Sequence, residues 1–191
     1  MTLGTRITTT LIVASALLAA CVSQSTYNQE VQKASTLSAQ DQAYQKLTAQ
    51  LKGEVAADQA QISQLQNVVR VTLANGILFP EGGWELNDAG KQTLAKLAPV
   101  LKTLTGQKIE VKGFTDNVPI GPELRARFPS NVELSKARAQ SVAELLVAQG
   151  VPASIITTSG LGDAQPEAPN DTAQGRAKNR RVVIDIVEVK S

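Results

Sequence analysis

KIEVKGFTDNVPI, residues 108–120, starts with the alternation of a strand and ends in turn-forming residues. Ile109 and Val111 share one face and Glu110 and Lys112 the other, the pattern of a strand with one side covered. Helices are expected on the apolar side. Thr115, Asp116 and Asn117 come just past the end of that strand at Phe114, where ligands of α/β sheets tend to sit. The same three residues also suit a plain turn, because Asp and Asn bond their own backbone. Position alone leaves both readings open.

Moving towards the C-terminus, Ser130 to Glu133 has the S-x-x-E form of a capping box and predicts a helix start. Leu134, Ala137, Val142, Leu145 and Leu146 form its apolar stripe, and Gly150 its stop. Arg138 sits eight positions past the cap, where a lone arginine is usually solvated or paired with a neighbour. Residues 155–159 predict a short strand, residues 160–175 a long loop and residues 182–189 (VVIDIVEV) a closing strand. Towards the N-terminus, residues 71–79 have strand character with a turn around Asn75-Gly76, and Gly82 to Trp84 marks a loop. Asn87 is an expected N-cap for a helix carrying Leu94, Leu97, Ala98, Leu101 and Leu104, with a kink or break near Pro99 and an end at Gly106. Residues 71–191 therefore read as one α+β domain, a mixed sheet with helices on one face.

Residues 27–70 contain no proline and only Gly53, which predicts a long N-terminal helix of about 66 Å at 1.5 Å per residue. Leu37, Tyr44, Leu51 and Leu65 share one heptad register and Ala34, Val55, Ile62 and Val69 the other, interrupted by Asp41, Thr48 and Asp58. The expectation is a spacer whose weak coiled-coil seam offers a surface for a second copy or a partner protein. Residues 1–20 combine Arg6 with a short apolar run and small residues before Cys21, the arrangement of a secretory signal too short to span a bilayer. Leu18-Ala19-Ala20-Cys21 resembles a bacterial lipobox, which implies lipidation at Cys21 with more than one acyl chain, residues 21–26 then forming a tether. Val22 in place of aspartate after that cysteine favours outer-membrane sorting.

Composition removes several function classes. The chain of 191 residues has 19 basic and 17 acidic side chains and no basic block interleaved with aromatics, which argues against nucleic-acid binding. Without histidine, a Ser-His-Asp triad, a His-ligated metal and a His general base are all excluded. No pattern asks for a cofactor or a metal. A wall-cleaving enzyme would need Asp116 paired with Glu133 or Glu123 across a cleft. Glu133 is better explained as the capping partner of Ser130, so the expectation is a protein that is not an enzyme.

GFTDNVPI, FPSNVELSKARAQSVAELL, GLGDAQP and GRAKNRRVVIDI occur in that order. Together they resemble the peptidoglycan-binding domain named after the C-terminal part of outer membrane protein A, across residues 71–189. The proline-containing insertion between Asp116 and Asn131 is similar to that of flagellar stator proteins. The resemblance implies a βαβαβ mixed sheet. It implies that Asp116 and Arg138 hold the diaminopimelate of the wall's stem peptide, with Thr115, Asn117, Asn131, Leu134 and Arg181 beside them and Asn179 bracing the site. Arg180 and Arg181 match the family's N-R-R run before the last strand, and they read equally as ligand contacts or as solvated or ion-paired residues, with Asp116 or Asp163 as the acid. At Phe79-Pro80-Glu81 the chain departs from the family, many of whose members carry Asp or Asn shortly after the phenylalanine. The expected partners are peptidoglycan and, through the lipid, a membrane. An envelope scaffold, whose helix recruits a partner while wall binding localises it, is the alternative.

Overall fold

A computed structural model of the chain describes residues 24–189. The expected signal segment, Cys21 and the tether residues 22 and 23 lie outside the described residues, and residues 24–26 of the expected tether already belong to the first helix.

In chain order the elements are helices α1 (Gln24–Gln50) and α2 (Lys52–Ala56), strands β1 (Ala60–Leu65) and β2 (Val68–Ala74), helices α3 (Asn75–Leu78) and α4 (Asp88–Leu101), strand β3 (Gln107–Gly113), helices α5 (Pro122–Arg125) and α6 (Asn131–Ala148), strand β4 (Ile156–Gly160), helix α7 (Ala173–Asn179) and strand β5 (Arg181–Glu188). They build a five-stranded sheet in the order β1-β2-β5-β3-β4, with β3 and β4 parallel and every other pair antiparallel. The α+β class, the mixed sheet and the N-terminal helix agree with the sequence pattern.

Register explains the sidedness. Val71 lies opposite Ile184, which lies opposite Val111, and Val69 and Ile109 flank Ile186 in the same way. All six are buried, and α1, α4 and α6 pack on this side to form the main core with Leu47, Leu97 and Leu146. The opposite face carries Arg70, Asp185 and Glu110 in one cross-strand row. Asp185 is buried, and it accepts from Arg70 Nε at 2.7 Å, Arg70 Nη2 at 2.8 Å and Lys112 Nζ at 3.0 Å. Burial pushes its carboxyl up, and the hydrogen bonds from Arg70 and Lys112 outweigh it, so the pKa lies below the ordinary carboxylate value.

The long helix expected over residues 27–70 is corrected. Helix α1 is 27 residues, about 40 Å, and residues 60–74 form a β-hairpin that opens the sheet. Val55, Ile62, Leu65 and Val69 match a heptad frame only by coincidence of spacing, since Ile62, Leu65 and Val69 lie on strands. Backbone at Asp58 (φ 57°) and Gln66 (φ 45°) makes the turns on either side of β1. Tertiary contacts hold the hairpin: Gln40, buried on α1, donates to the carbonyl of Asn67 at 2.8 Å, and Ala43, Leu47 and Leu51 pack into the core. The C-terminal half of the expected spacer is thus part of the domain.

Other boundaries shift for local reasons. The strand expected over 71–79 ends at Ala74, and Asn75-Gly76 opens the short helix α3 instead of a hairpin turn. Asn87 caps α4 as expected, its Oδ1 accepting from Gly90 N at 2.7 Å. Near Pro99 the helix does not break in mid-course; it continues to Leu101 and stops. Gly150, at φ 92°, closes α6 with Gly150 N on Val147 O at 2.8 Å and Val151 N on Leu146 O at 3.0 Å. Within the expected loop 160–175, Thr172 caps α7, an element too short to show a periodic stripe.

Candidate functional site

Strand β3 ends against the first turns of α6, and the contact leaves no room for a side chain. A Cβ on Gly113 would stand 2.0 Å from the carbonyl oxygen of Ser135, and one on Gly160 2.3 Å from that of Val132. Ser135 locks the third segment in place, its hydroxyl accepting from Gly162 N at 3.0 Å. This close packing sets α6 relative to the turn after β3. Ser130 starts the helix by accepting from Val132 N at 3.1 Å and by hydrogen bonding to the Glu133 carboxylate, the expected capping box.

Helical spacing then places Asn131, Leu134 and Arg138 on one face, at i, i+3 and i+7. That face borders a cleft of about 1030 Å³, lined also by Asn75, Phe79, Thr115, Asp116 and Arg180. Asp116 and Arg138, far apart in sequence, therefore open onto the same space. Asp116 is buried; its Oδ1 accepts from Val118 N at 3.1 Å and its Oδ2 from Arg180 Nη1 at 2.5 Å. Asn131 Nδ2 ties the turn to the helix by donating to Val118 O at 3.0 Å and Asp116 O at 3.3 Å. Leu134 sits among Ile120, Phe128 and Trp84, a small second core that holds the 117–130 insertion as one wall of the cleft. Trp84 meets Phe128 edge-on at 5.0 Å, and the Arg127 guanidinium covers Trp84 at 4.4 Å.

Arg138 is 5% exposed. Its Nε donates to Gly83 O at 2.8 Å, and its guanidinium lies 5.7 Å from the centre of the Phe79 ring. Among the described residues no carboxylate pairs with it. Burial, then repulsion from Arg180, lowers its pKa to about 10 against the opposing pull of Asp116. At neutral pH it remains charged, a desolvated cation whose planar fork suits a carboxylate.

The remaining expected residues divide. Thr115 is buried at the cleft, with its backbone N–H on Gly162 O at 2.7 Å and its hydroxyl without a partner among the described residues. Asn117 is exposed and does not line the cleft. Arg181 is corrected as well: it is buried beside the cleft's supporting loop, stacked 3.9 Å over Phe114, and does not reach the cleft. The reason is the extended backbone where Arg180, the cap of α7, passes into Arg181, the first residue of β5, which turns the two side chains to opposite sides. Arg180 takes the place expected for Arg181. Asn179 braces the site indirectly, its side chain accepting from Glu167 N at 2.8 Å and Ala168 N at 3.0 Å and donating to Ala168 O at 2.8 Å. Glu133 is fixed at the helix cap and Glu123 lies on α5, and neither lines the cleft with Asp116. Asn75 was missed by sequence reading, because an Asn-Gly pair signals a turn before it signals a site.

Comparison with known proteins follows the same geometry. The profile of the OmpA family matches residues 78–180, which contain Asp116 and Arg138 and the helix between them. The chain belongs to the OmpA family. Over 138 residues it is 37% identical to a protein named Probable lipoprotein YiaD from Escherichia coli strain K12, covering 72% of this chain and 60% of YiaD. Over 122 residues it is 38% identical to the peptidoglycan-binding protein ArfA of Mycobacterium tuberculosis strain H37Rv, covering 64% of this chain and 35% of ArfA. The matched region is thus less than two thirds of either relative. The crystal structure of a MotB-like protein from Desulfovibrio vulgaris superposes with a TM-score of 0.71 at 28% identity, covering 81% of this OmpA-family chain and 98% of that one.

Proposed function

We propose that this OmpA-family protein binds peptidoglycan without covalent linkage, through the diaminopimelate of the stem peptide, and joins the outer membrane to the cell wall. The observation that carries the reading is Arg138, a buried guanidinium without a carboxylate partner, opening onto the same cleft as Asp116. The free end of diaminopimelate holds an ammonium and a carboxylate on one carbon. Asp116 receives the ammonium and Arg138 the carboxylate. Thr115, Asn131 and Leu134 shape the cleft around them, and Arg180 holds Asp116 in place. Charge-assisted hydrogen bonds contribute roughly 1.5 to 3 kcal/mol each, so a few of them yield a micromolar-range site once association costs are subtracted. Many weak contacts along a polymer give firm yet reversible attachment.

Asp116 is held by Val118 N and Arg180, Glu133 is held at the helix cap, and the other carboxylate lining the cleft, Glu81, is exposed; the reading is a binding function rather than catalysis. A lipid on Cys21 anchors the protein in the outer membrane, facing the periplasm, and α1 carries the domain away from the surface. The test is co-sedimentation with purified sacculi together with titration by L-Ala-γ-D-Glu-meso-diaminopimelate against a stem tetrapeptide with lysine at the third position, whose side chain ends in an amine without a carboxylate. Binding that prefers the diaminopimelate peptide and disappears in Arg138→Gln supports the proposal; equal response to the lysine peptide refutes it.

A scaffold role has one observation in its favour. Tyr27, Val31 and Leu37 on α1 are 58%, 49% and 50% exposed, on the half of the helix that precedes the core-packed Ala43, Leu47 and Leu51. Such a stripe suits a partner helix or a second copy. Removing residues 24–38 separates the roles: a tether keeps sacculus binding in vitro, and a scaffold loses its partner.

A further inference from the structure

An ammonium carries three N–H donors and needs acceptors for all of them when it leaves water. Asp116 is already engaged on both oxygens, by Val118 N at 3.1 Å and by Arg180 Nη1 at 2.5 Å. Two other oxygens belong to residues of the same cleft and have no donor among the described residues: Asn75 Oδ1 and Thr115 Oγ1. Their residues are 7% and 5% exposed, so neither oxygen is served by bulk water. Buried polar atoms are nearly always paired, and an unpaired oxygen just beneath the wall of a cleft can meet a ligand's donor when its side chain turns towards the opening.

The backbone fixes where Asn75 stands. Its N–H donates to Arg180 O at 2.9 Å, which extends the β2–β5 pairing one step beyond the Ala74–Arg181 pair. Asn75 is thereby held next to the residue whose guanidinium grips Asp116. The carboxamide adds an acceptor without adding a second carboxylate beside Asp116.

We infer that Asn75 is a ligand-contact residue of the cleft, its side-chain oxygen joining Thr115 and Asp116 to receive the ammonium of a zwitterionic amino-acid centre. The inference rests on the wall-binding reading above and adds the residue that distinguishes an amine-bearing centre from one without the amine. Arg138 reads the carboxylate; Asn75 reads the nitrogen.

The experiment uses the full chain and two peptides, L-Ala-γ-D-Glu-meso-diaminopimelate and the analogue with 2-aminopimelate at the third position, which keeps the terminal carboxylate and lacks the free amine. Titration by calorimetry or by amide chemical shifts reads the affinities. Asn75→Ala is expected to weaken the diaminopimelate peptide about tenfold and to leave the analogue unchanged, whereas Asn75→Asp, which retains the acceptor, keeps or improves binding to the amine-bearing peptide. Thermal melting of both variants checks the fold, and Asn75→Asp keeps the test open if the alanine variant unfolds. Equal loss on both peptides, or no loss on either, overturns the role of Asn75 while leaving the wall-binding reading intact. Wild-type protein that ignores both peptides overturns the wall-binding reading and this inference with it.

Discussion

Arg138 and Arg181 are both buried, at 5% and 4% exposure, and both lie over a phenylalanine ring, yet their surroundings differ in kind. Arg181 donates to Gln165 O at 2.9 Å and Asn179 O at 3.1 Å. Its Nε stands 2.9 Å from Glu167 Oε1, off the N–H direction, an ionic contact more than a hydrogen bond. Burial lowers its pKa and Glu167 opposes the shift, so the charge is compensated within the fold. Among the described residues Arg138 has one carbonyl acceptor and no paired acid, with its pKa lowered to about 10. A buried charge matched by its own chain holds structure together; one left unmatched beside an opening costs stability and is available to a ligand.

The largest effect expected from this contrast is on stability at Arg181. Arg181→Leu removes the tie between the 165–170 loop and β5 and leaves Glu167 and two carbonyls without their donor. A loss of about 3 kcal/mol is expected, a fall of roughly 10 °C in melting temperature. Sacculus binding measured below the new melting point should persist. An Arg181 variant that melts normally and fails to bind would break the comparison.

Arg138→Met should do the opposite. Its lowered pKa corresponds to a net cost of about 3 kcal/mol in the charged form, from burial first and repulsion by Arg180 second, so replacing it with an apolar chain of similar length should leave melting unchanged or raise it. Binding to sacculi should weaken at least about 100-fold, the loss of two charge-assisted bonds. A drop in melting similar to that of Arg181→Leu would place Arg138 among the structural arginines.

Asp185 extends the contrast to an acid. Its folded pKa lies below the ordinary value, so the carboxylate adds stability above about pH 4, the range in which the unfolded side chain is ionised, and loses it as pH falls through the lower folded value. Asp185→Asn should cost about 2 kcal/mol at neutral pH by removing the two-point acid partner of Arg70 and leaving Lys112 with Glu110 alone, and should flatten the acid limb of the stability profile. Urea unfolding between pH 2 and pH 7 reads both, and an unchanged acid limb would assign the pH dependence elsewhere. The smallest effect is expected at Asn117, whose exposure predicts that Asn117→Ala binds sacculi within about twofold of wild type; a larger loss would bring the residue back into the site.

Legibility followed the range of the interactions. The capping box at Ser130, the N-cap at Asn87, the stop at Gly150 and the alternation of β3 are set by neighbours a few residues away, and each was readable from the chain. Residues 60–70 were misread as helix because glutamine- and alanine-rich sequence satisfies a heptad frame weakly, while the hairpin there exists through contacts with α1 and with β5 across the sheet.

The same division runs through the site. The ordered motifs by themselves pointed to the family and the fold class, and the resemblance they carry named Asp116 and Arg138; residue type and spacing alone left a turn aspartate and a solvated arginine as equal readings. Only the tertiary structure decided which of two adjacent arginines enters the cleft, that Asn75 stands beside it, that Asn117 does not, and that Arg138 has no acid of its own. Those outcomes depend on strand register and on the close approach of Gly113 and Gly160 to α6, distances between chain segments that no local pattern encodes.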